Sequence, residues 1–201
     1  MKILAIGDIH GNSKEATRLA EKAVSEAVDL VVLCGDLTLA EQKLDYILGP
    51  FINRKLKVAF VPGNHESAAT ADFLATKYGA INLHGSYHTD KHVGFFGCGG
   101  GISGPVHMMH EADIFETLKT AHYGIKNSPK RIMVTHVHPK GTLMERFSGF
   151  VEGSSGVRKA IEELEPDLVL CGHVHEARGI EEMIGKSKVI NVATAEKIFE
   201  I

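Results

Sequence analysis

Short runs that are apolar throughout alternate along this chain with stretches whose apolar residues recur at helical spacing. Lys2–Ile6 is the first such run, and Ser13–Val28 follows with Ala16, Leu19, Ala20, Ala23, Val24, Ala27 and Val28 at that spacing, Ser13 standing as the N-cap. Asp29–Cys34 is a second strand, Leu39–Asn53 holds a helix ending near Gly49-Pro50, Lys57–Val61 is a third strand and Ser67–Tyr78 a third helix. Strands without polar alternation are covered on both faces, so the first half predicts βαβαβα with a parallel sheet. The pattern then changes. Ser86–Thr89 and Val93–Gly97 are short extended pieces, Gly97–Gly104 is a glycine-rich loop, and a helix is expected over Glu111–Ile125. Arg131–Thr135 and Asp167–Cys171 return to the buried strand type with a helix, Val157–Leu164, between them, and Gly179–Ile201 predicts two or three antiparallel strands. No repeat, low-complexity tract or linker interrupts the series, so residues 1–201 are expected to form one domain.

Composition narrows the picture. A chain of 201 residues with 44% hydrophobic and 23% charged residues suits one sizeable core and argues against disorder. Its net charge of −3 carries no strong nucleic-acid signal, since sequence-independent duplex binding needs many Lys and Arg contacts to phosphate. Cys34, Cys98 and Cys171 are odd in number and widely spaced, which fits buried thiols in a reducing compartment. No run approaches the ~18 apolar residues of a membrane span, and Asp8 and His10 fall where a signal peptide would continue its apolar stretch. A cytoplasmic protein is the expectation. The 12 histidines are the unusual entry.

Each of the five buried-type strands runs straight into residues that ligate metals. Lys2–Ile6 leads to Gly7-Asp8-Ile9-His10-Gly11-Asn12, Asp29–Cys34 to Gly35-Asp36, and Lys57–Val61 to Pro62-Gly63-Asn64-His65-Glu66. Arg131–Thr135 leads to His136-Val137-His138-Pro139, and Asp167–Cys171 to Gly172-His173-Val174-His175. Loops at the carboxyl ends of parallel strands converge on one crevice. Carboxylates and imidazoles gathered beside apolar strands need a counter-charge, which one or two divalent cations supply. In extended backbone, residues i and i+2 point the same way, so Asp8 with His10, and His173 with His175, are each expected to share a site. Mixed nitrogen and oxygen donors suit manganese, iron, zinc or nickel.

GDIHGN, GD, GNHE, THxHP and GHVH, in this order from Gly7 to His175, resemble the five motifs of the calcineurin-like metallophosphoesterases. The resemblance implies an α/β fold, a two-sheet mixed β-sandwich flanked by helices, and two divalent metal ions, manganese foremost. It places Asp8, His10, Asp36 and His175 on the first metal and Asp36, Asn64, His136 and His173 on the second, with Asp36 bridging. His65 takes the catalytic role, protonating the leaving alkoxide or stabilising the phosphoryl charge, while a metal-bound hydroxide attacks phosphorus in line. His138, two residues beyond His136, is the competing ligand; the TH-x-x-P pattern favours His136 and leaves His138 beside the ligands or facing substrate. Related small members self-associate, so a homo-oligomer is compatible with this reading.

Gly35-Asp36-Leu37-Thr38-Leu39 lacks the acidic residue and arginine that follow this aspartate in the protein serine/threonine phosphatases of the superfamily. A dianionic monoester suits arginine's planar fork, so its absence argues against a phosphoprotein monoesterase, and the small size with the GNHE and GHVH motifs resembles the small prokaryotic phosphodiesterase-type members. A small nucleotide-like or cyclic phosphodiester is the expected substrate. A phosphomonoesterase on a small metabolite is the alternative, a nuclease stands third, and a non-catalytic metal-binding scaffold is the alternative outside enzymes. His84, His88, His92, His107, His110 and His122 read as surface or cap residues, and Gly97–Gly104 as a substrate-facing loop without a dinucleotide fingerprint. Ser154-Ser155-Gly156 reads as a helix cap whose amides could face an anion.

Overall fold

The computed structural model describes residues 1–201, and the sandwich expected from the sequence is present. In chain order the elements are β1 Lys2–Ile6, α1 Ser13–Ser25, β2 Leu30–Cys34, α2 Gly49–Ile52, β3 Val58–Val61, α3 Ala68–Tyr78 and β4 Ile81–Asn82. There follow β5 Tyr87–Asp90, β6 Val93–Cys98, α4 Glu111–Tyr123, β7 Lys130–Thr135, α5 Leu143–Ser148 and α6 Ser155–Leu164. β8 Leu168–Cys171, a 3-10 turn at His175–Ala177, β9 Glu181–Ile184, β10 Ser187–Asn191 and β11 Lys197–Glu200 complete the chain. One sheet has the order β11-β1-β2-β3-β4 and the other β5-β6-β7-β8-β10-β9. β1 to β4 run parallel, as do β6, β7, β8 and β10, while β5, β9 and β11 are antiparallel to their neighbours.

The apolar strands divide their residues between two layers. In β1, Ile3 and Ala5 point into the core between the sheets, where they join Val32, Phe95, Val134 and Leu170. Leu4 and Ile6 point outward, beneath Leu19 and Ala23 of α1 and Leu74 of α3. On the other outer face, α4 and α6 cover Phe96, Met133 and Val169 with Ile114, Leu118, Ala160 and Ile161. Every strand that leads to the site is therefore sealed on both faces. The three cysteines are free and buried, as small core thiols. No helix is long and apolar enough to cross a membrane.

Several elements differ from expectation. The cap of α1 is Asn12, whose Oδ1 accepts the Glu15 N–H at 3.1 Å, and Ser13 is the first helical residue. The helix expected within Leu39–Asn53 shrinks to α2, because Ala40, Glu41, Lys43 and Tyr46 all take positive φ and interrupt any helix before it. Glu41 instead accepts from Ser67 N–H at 2.9 Å and from Thr70 Oγ1 at 2.6 Å, tying that segment to the start of α3. The C-terminal strands split between the sheets. β9 and β10 form an antiparallel hairpin, β10 lies parallel to β8, and β11 crosses to pair with β1, Lys2 opposite Glu200. β4 and α5 lie outside the sequence reading, both too short to show a period.

Candidate metal centre

The loops after β1, β2 and β3 of one sheet and after β7 and β8 of the other meet at one end of the sandwich. Their side chains form three groups, each holding its donor atoms within 4.8 Å of one another: Asp8, His10 and His175; His10, Asp36 and His65; Asp36, His136 and His173. His10 is common to the first two and Asp36 to the last two, so the groups form a continuous row. Asn64 stands at the far end, its Oδ1 2.8 Å from His136 Nε2. His10 and His175 face each other through Nε2 at 3.4 Å, and His136 Nε2 lies 3.2 Å from His173 Nδ1. All eight residues singled out in the motifs come together. His138 does not join them; its ring is fully buried and packs near-parallel to His173, centroids 6.4 Å apart.

The backbone turns sharply to deliver these side chains. Asp8, His10, Asp36 and His173 have φ of 62°, 49°, 49° and 73°, a left-handed conformation that costs on the order of 1–3 kcal/mol per residue. Bonds between loops hold it: Asp8 N–H to Gly35 O at 3.0 Å, His10 N–H to Asp36 O at 2.9 Å and Gly172 N–H to His136 O at 2.8 Å. This geometry corrects the pairing expected from strand pleating. His173 and His175 fall in different groups, whereas Asp8 and His10 share one. Gly63 lies so close to Asp36 that any side chain there would overlap its carboxylate.

Two supporting residues escaped the sequence reading. Glu66 is buried and accepts from Gly63 N–H at 2.8 Å, Thr38 N–H at 2.7 Å and Thr38 Oγ1 at 2.7 Å, clamping the loop after β2 to the loop after β3. Burial raises its pKa, only partly offset by those bonds. Asn191 donates to Val174 O at 2.8 Å and accepts from Ala193 N–H at 2.8 Å, bracing the GHVH turn from the end of β10. The signal for Glu66 was its place in GNHE; Asn191 gave none.

The glycine-rich loop braces the centre. Gly104 presses against the Asn64 side chain, and the Val106 and His107 N–H groups both donate to Asn64 O at 3.1 Å. His84 and His107 belong to this brace and are half-buried, contrary to the surface reading: His84 Nδ1 accepts the Gly99 N–H at 3.0 Å, and the rings meet edge-on at 5.4 Å. His110 is exposed and occupies the N-cap position of α4, where its side chain makes no capping bond.

The electrostatics fit divalent cations. Burial alone would raise Asp8, but the His175 hydrogen bond, the charges of His136 and His175 and the His173 amide outweigh it and hold the carboxyl below its usual range. Burial opposes charge on His136, yet Asp36 and Asp8 raise it; the bond to Asp8 raises His175. Burial and His136 push His173 down to about 3, and burial pushes His138 down to about 4. Asp8 and Asp36 are almost fully buried carboxylates beside these imidazoles, and a bound divalent ion would supply their counter-charge. The donors are carboxylate, amide and imidazole, the mixed set that first-row divalent ions take.

A row of three nitrogen and oxygen donor groups joined through His10 and Asp36, at the carboxyl ends of a two-sheet sandwich, fits a dinuclear metal centre. Residues 1–177 match the family model of the calcineurin-like phosphoesterases, and the chain belongs to that family, metal-dependent hydrolases of phosphoric esters. No curated protein matches it. The fold is similar to that of TT1561 of Thermus thermophilus (TM-score 0.77, 21% identity, covering 96% of this chain and 88% of that one). It is also similar to a dimetal phosphatase from Danio rerio (TM-score 0.65, 10% identity, 95% and 86% covered) and to an archaeal phosphodiesterase (TM-score 0.51, 17% identity, 96% and 84% covered).

Proposed function

We propose that the protein is a cytoplasmic phosphodiesterase that hydrolyses a small nucleotide-like or cyclic phosphodiester at a dinuclear centre, manganese being the first metal to test. The observation that carries this reading is the row of three donor groups joined through His10 and Asp36. Asp8, His10, Asp36 and His175 would hold one ion, and Asp36, Asn64, His136 and His173 the other. Bound there, the two ions would neutralise phosphoryl charge and lower the pKa of a shared water. His65 Nδ1 accepts the Ala40 N–H at 3.0 Å, so its proton sits on Nε2, which faces the centre 3.8 Å from Asp36 Oδ2. That N–H is placed to donate to a phosphoryl oxygen or to the leaving oxygen. Gly35-Asp36-Leu37-Thr38-Leu39 supplies no arginine beside the shared aspartate, which favours a monoanionic diester over a dianionic monoester.

The test is hydrolysis of bis-p-nitrophenyl phosphate beside p-nitrophenyl phosphate, after chelation and return of manganese, nickel, zinc or magnesium. Metal-restored turnover of the diester, lost in His65→Ala, is the expected result. A large excess of monoester turnover would move the reading to a phosphomonoesterase. Bound metal without turnover of either would leave a scaffold.

A further inference from the structure

Three buried ring nitrogens around His173 have no hydrogen-bond partner: Nδ1 and Nε2 of His138, and Nε2 of His173 itself. Orphaned buried polar atoms are uncommon in folded proteins and call for a reason. His173 turns Nδ1 into the group with Asp36 and His136, so Nε2 points out of the centre. An imidazole that ligates through one nitrogen carries its proton on the other and donates it to a fixed acceptor, which settles the tautomer and the ring plane.

We propose that His138 anchors this acceptor: a positioning residue that takes up the His173 Nε2–H through one bridging water and holds His173 with Nδ1 toward the second metal. The rings lie 24° from parallel with centroids 6.4 Å apart, beyond a direct bond and within the span of one bridging water. His138 cannot readily swing inward to ligate. Its C=O accepts the Ser154 N–H at 2.8 Å, and Thr135 Oγ1 donates to the neighbouring Val137 O at 3.0 Å. Glu145, the charged group nearby on α5, accepts from Gly141 N–H at 2.6 Å and Gly153 N–H at 3.2 Å and makes no hydrogen bond to either His138 nitrogen.

The proposal rests on His173 being a metal ligand, and the experiment separates the two ideas. Zinc or manganese binding is titrated calorimetrically in the wild type, His173→Ala, His138→Ala and His138→Gln, and long-range nitrogen NMR reads the His173 tautomer in the zinc-loaded wild type. His138→Ala is expected to weaken one of two binding events about 10- to 100-fold and spare the other. His138→Gln, which keeps an acceptor, should recover most of the loss, and the spectrum should show a proton on His173 Nε2. Wild-type affinity in His138→Ala, or in His138→Phe, which keeps the ring volume, should His138→Ala fail to fold, would overturn the proposal; a His173 proton on Nδ1 in the loaded wild type would overturn the Nδ1 ligation on which it rests. Two intact binding events in His173→Ala would overturn instead the assignment of the centre on which it rests.

Discussion

At position 65 the ring nitrogen turned away from the centre is taken by a backbone amide, that of Ala40, itself held at a φ of 49°. The Glu41 N–H donates to His65 O at 3.1 Å, and the His65 N–H donates to Asp36 Oδ1 at 3.1 Å, so the residue is fixed by backbone on both sides. Removing the imidazole should therefore disturb chemistry more than structure. His65→Ala is expected to lower turnover about 100- to 10,000-fold while binding two metals as before; a loss of metal in this variant would place His65 among the ligands. Asp36 has the opposite character, since it belongs to two of the three donor groups. Asp36→Asn keeps its shape and loses its charge, and metal analysis should show both ions weakened together. Loss of one alone would deny the shared role.

The helices and strands carry their own chemistry at their ends. Glu111, the first residue of α4, sends its carboxylate into the N-terminus of α6, where it accepts from Ser155 N–H at 2.9 Å, Gly156 N–H at 2.7 Å and Ser154 Oγ at 2.5 Å. The amides at Ser154-Ser155-Gly156 thus do face an anion, one supplied by the chain itself. Burial raises the Glu111 pKa, but these bonds outweigh it and hold it below its usual 4.5. A lowered folded pKa means stability present above pH 4.5 and lost as pH falls through the folded value. Glu111→Gln should destabilise the protein by about 1–2 kcal/mol near neutrality, and denaturant titrations should show the gap to wild type closing in acid. An unchanged gap at low pH would mean Glu111 acts by packing. The sequence reading missed this contact because nothing local joins residue 111 to residue 154. It succeeded where each apolar strand ran straight into its ligands, as at Ile6-Gly7-Asp8, because burial and chemistry there share one short segment. It failed between Leu39 and Leu48, where non-glycine residues at positive φ leave no compositional mark, and at β11, whose partner β1 lies at the opposite end of the chain.

Both sheets contribute to the centre, Asp8, His10, Asp36 and Asn64 from one and His136, His173 and His175 from the other. Metal bound at these residues would tie together the ends of two layers whose shared core is apolar, Val61, Phe95 and Val134 among it. A ligand that binds only the folded state adds stability by mass action, about 2.7 kcal/mol at a concentration 100 times its Kd. For a domain of this length each kcal/mol moves the unfolding midpoint by roughly 2–4 °C. Chelation of the loaded protein should therefore lower Tm by about 5–11 °C, reversibly on return of metal. Hydrogen exchange should localise the loosening to the turns after β1, β2, β3, β7 and β8, while the amides of α1, α4 and the strand centres keep their protection. Asp36→Asn should show little of this shift, because its carboxylate lies in two of the three donor groups. The same metal-dependent rise in that variant would mean the ion stabilises the protein somewhere other than between the two sheets.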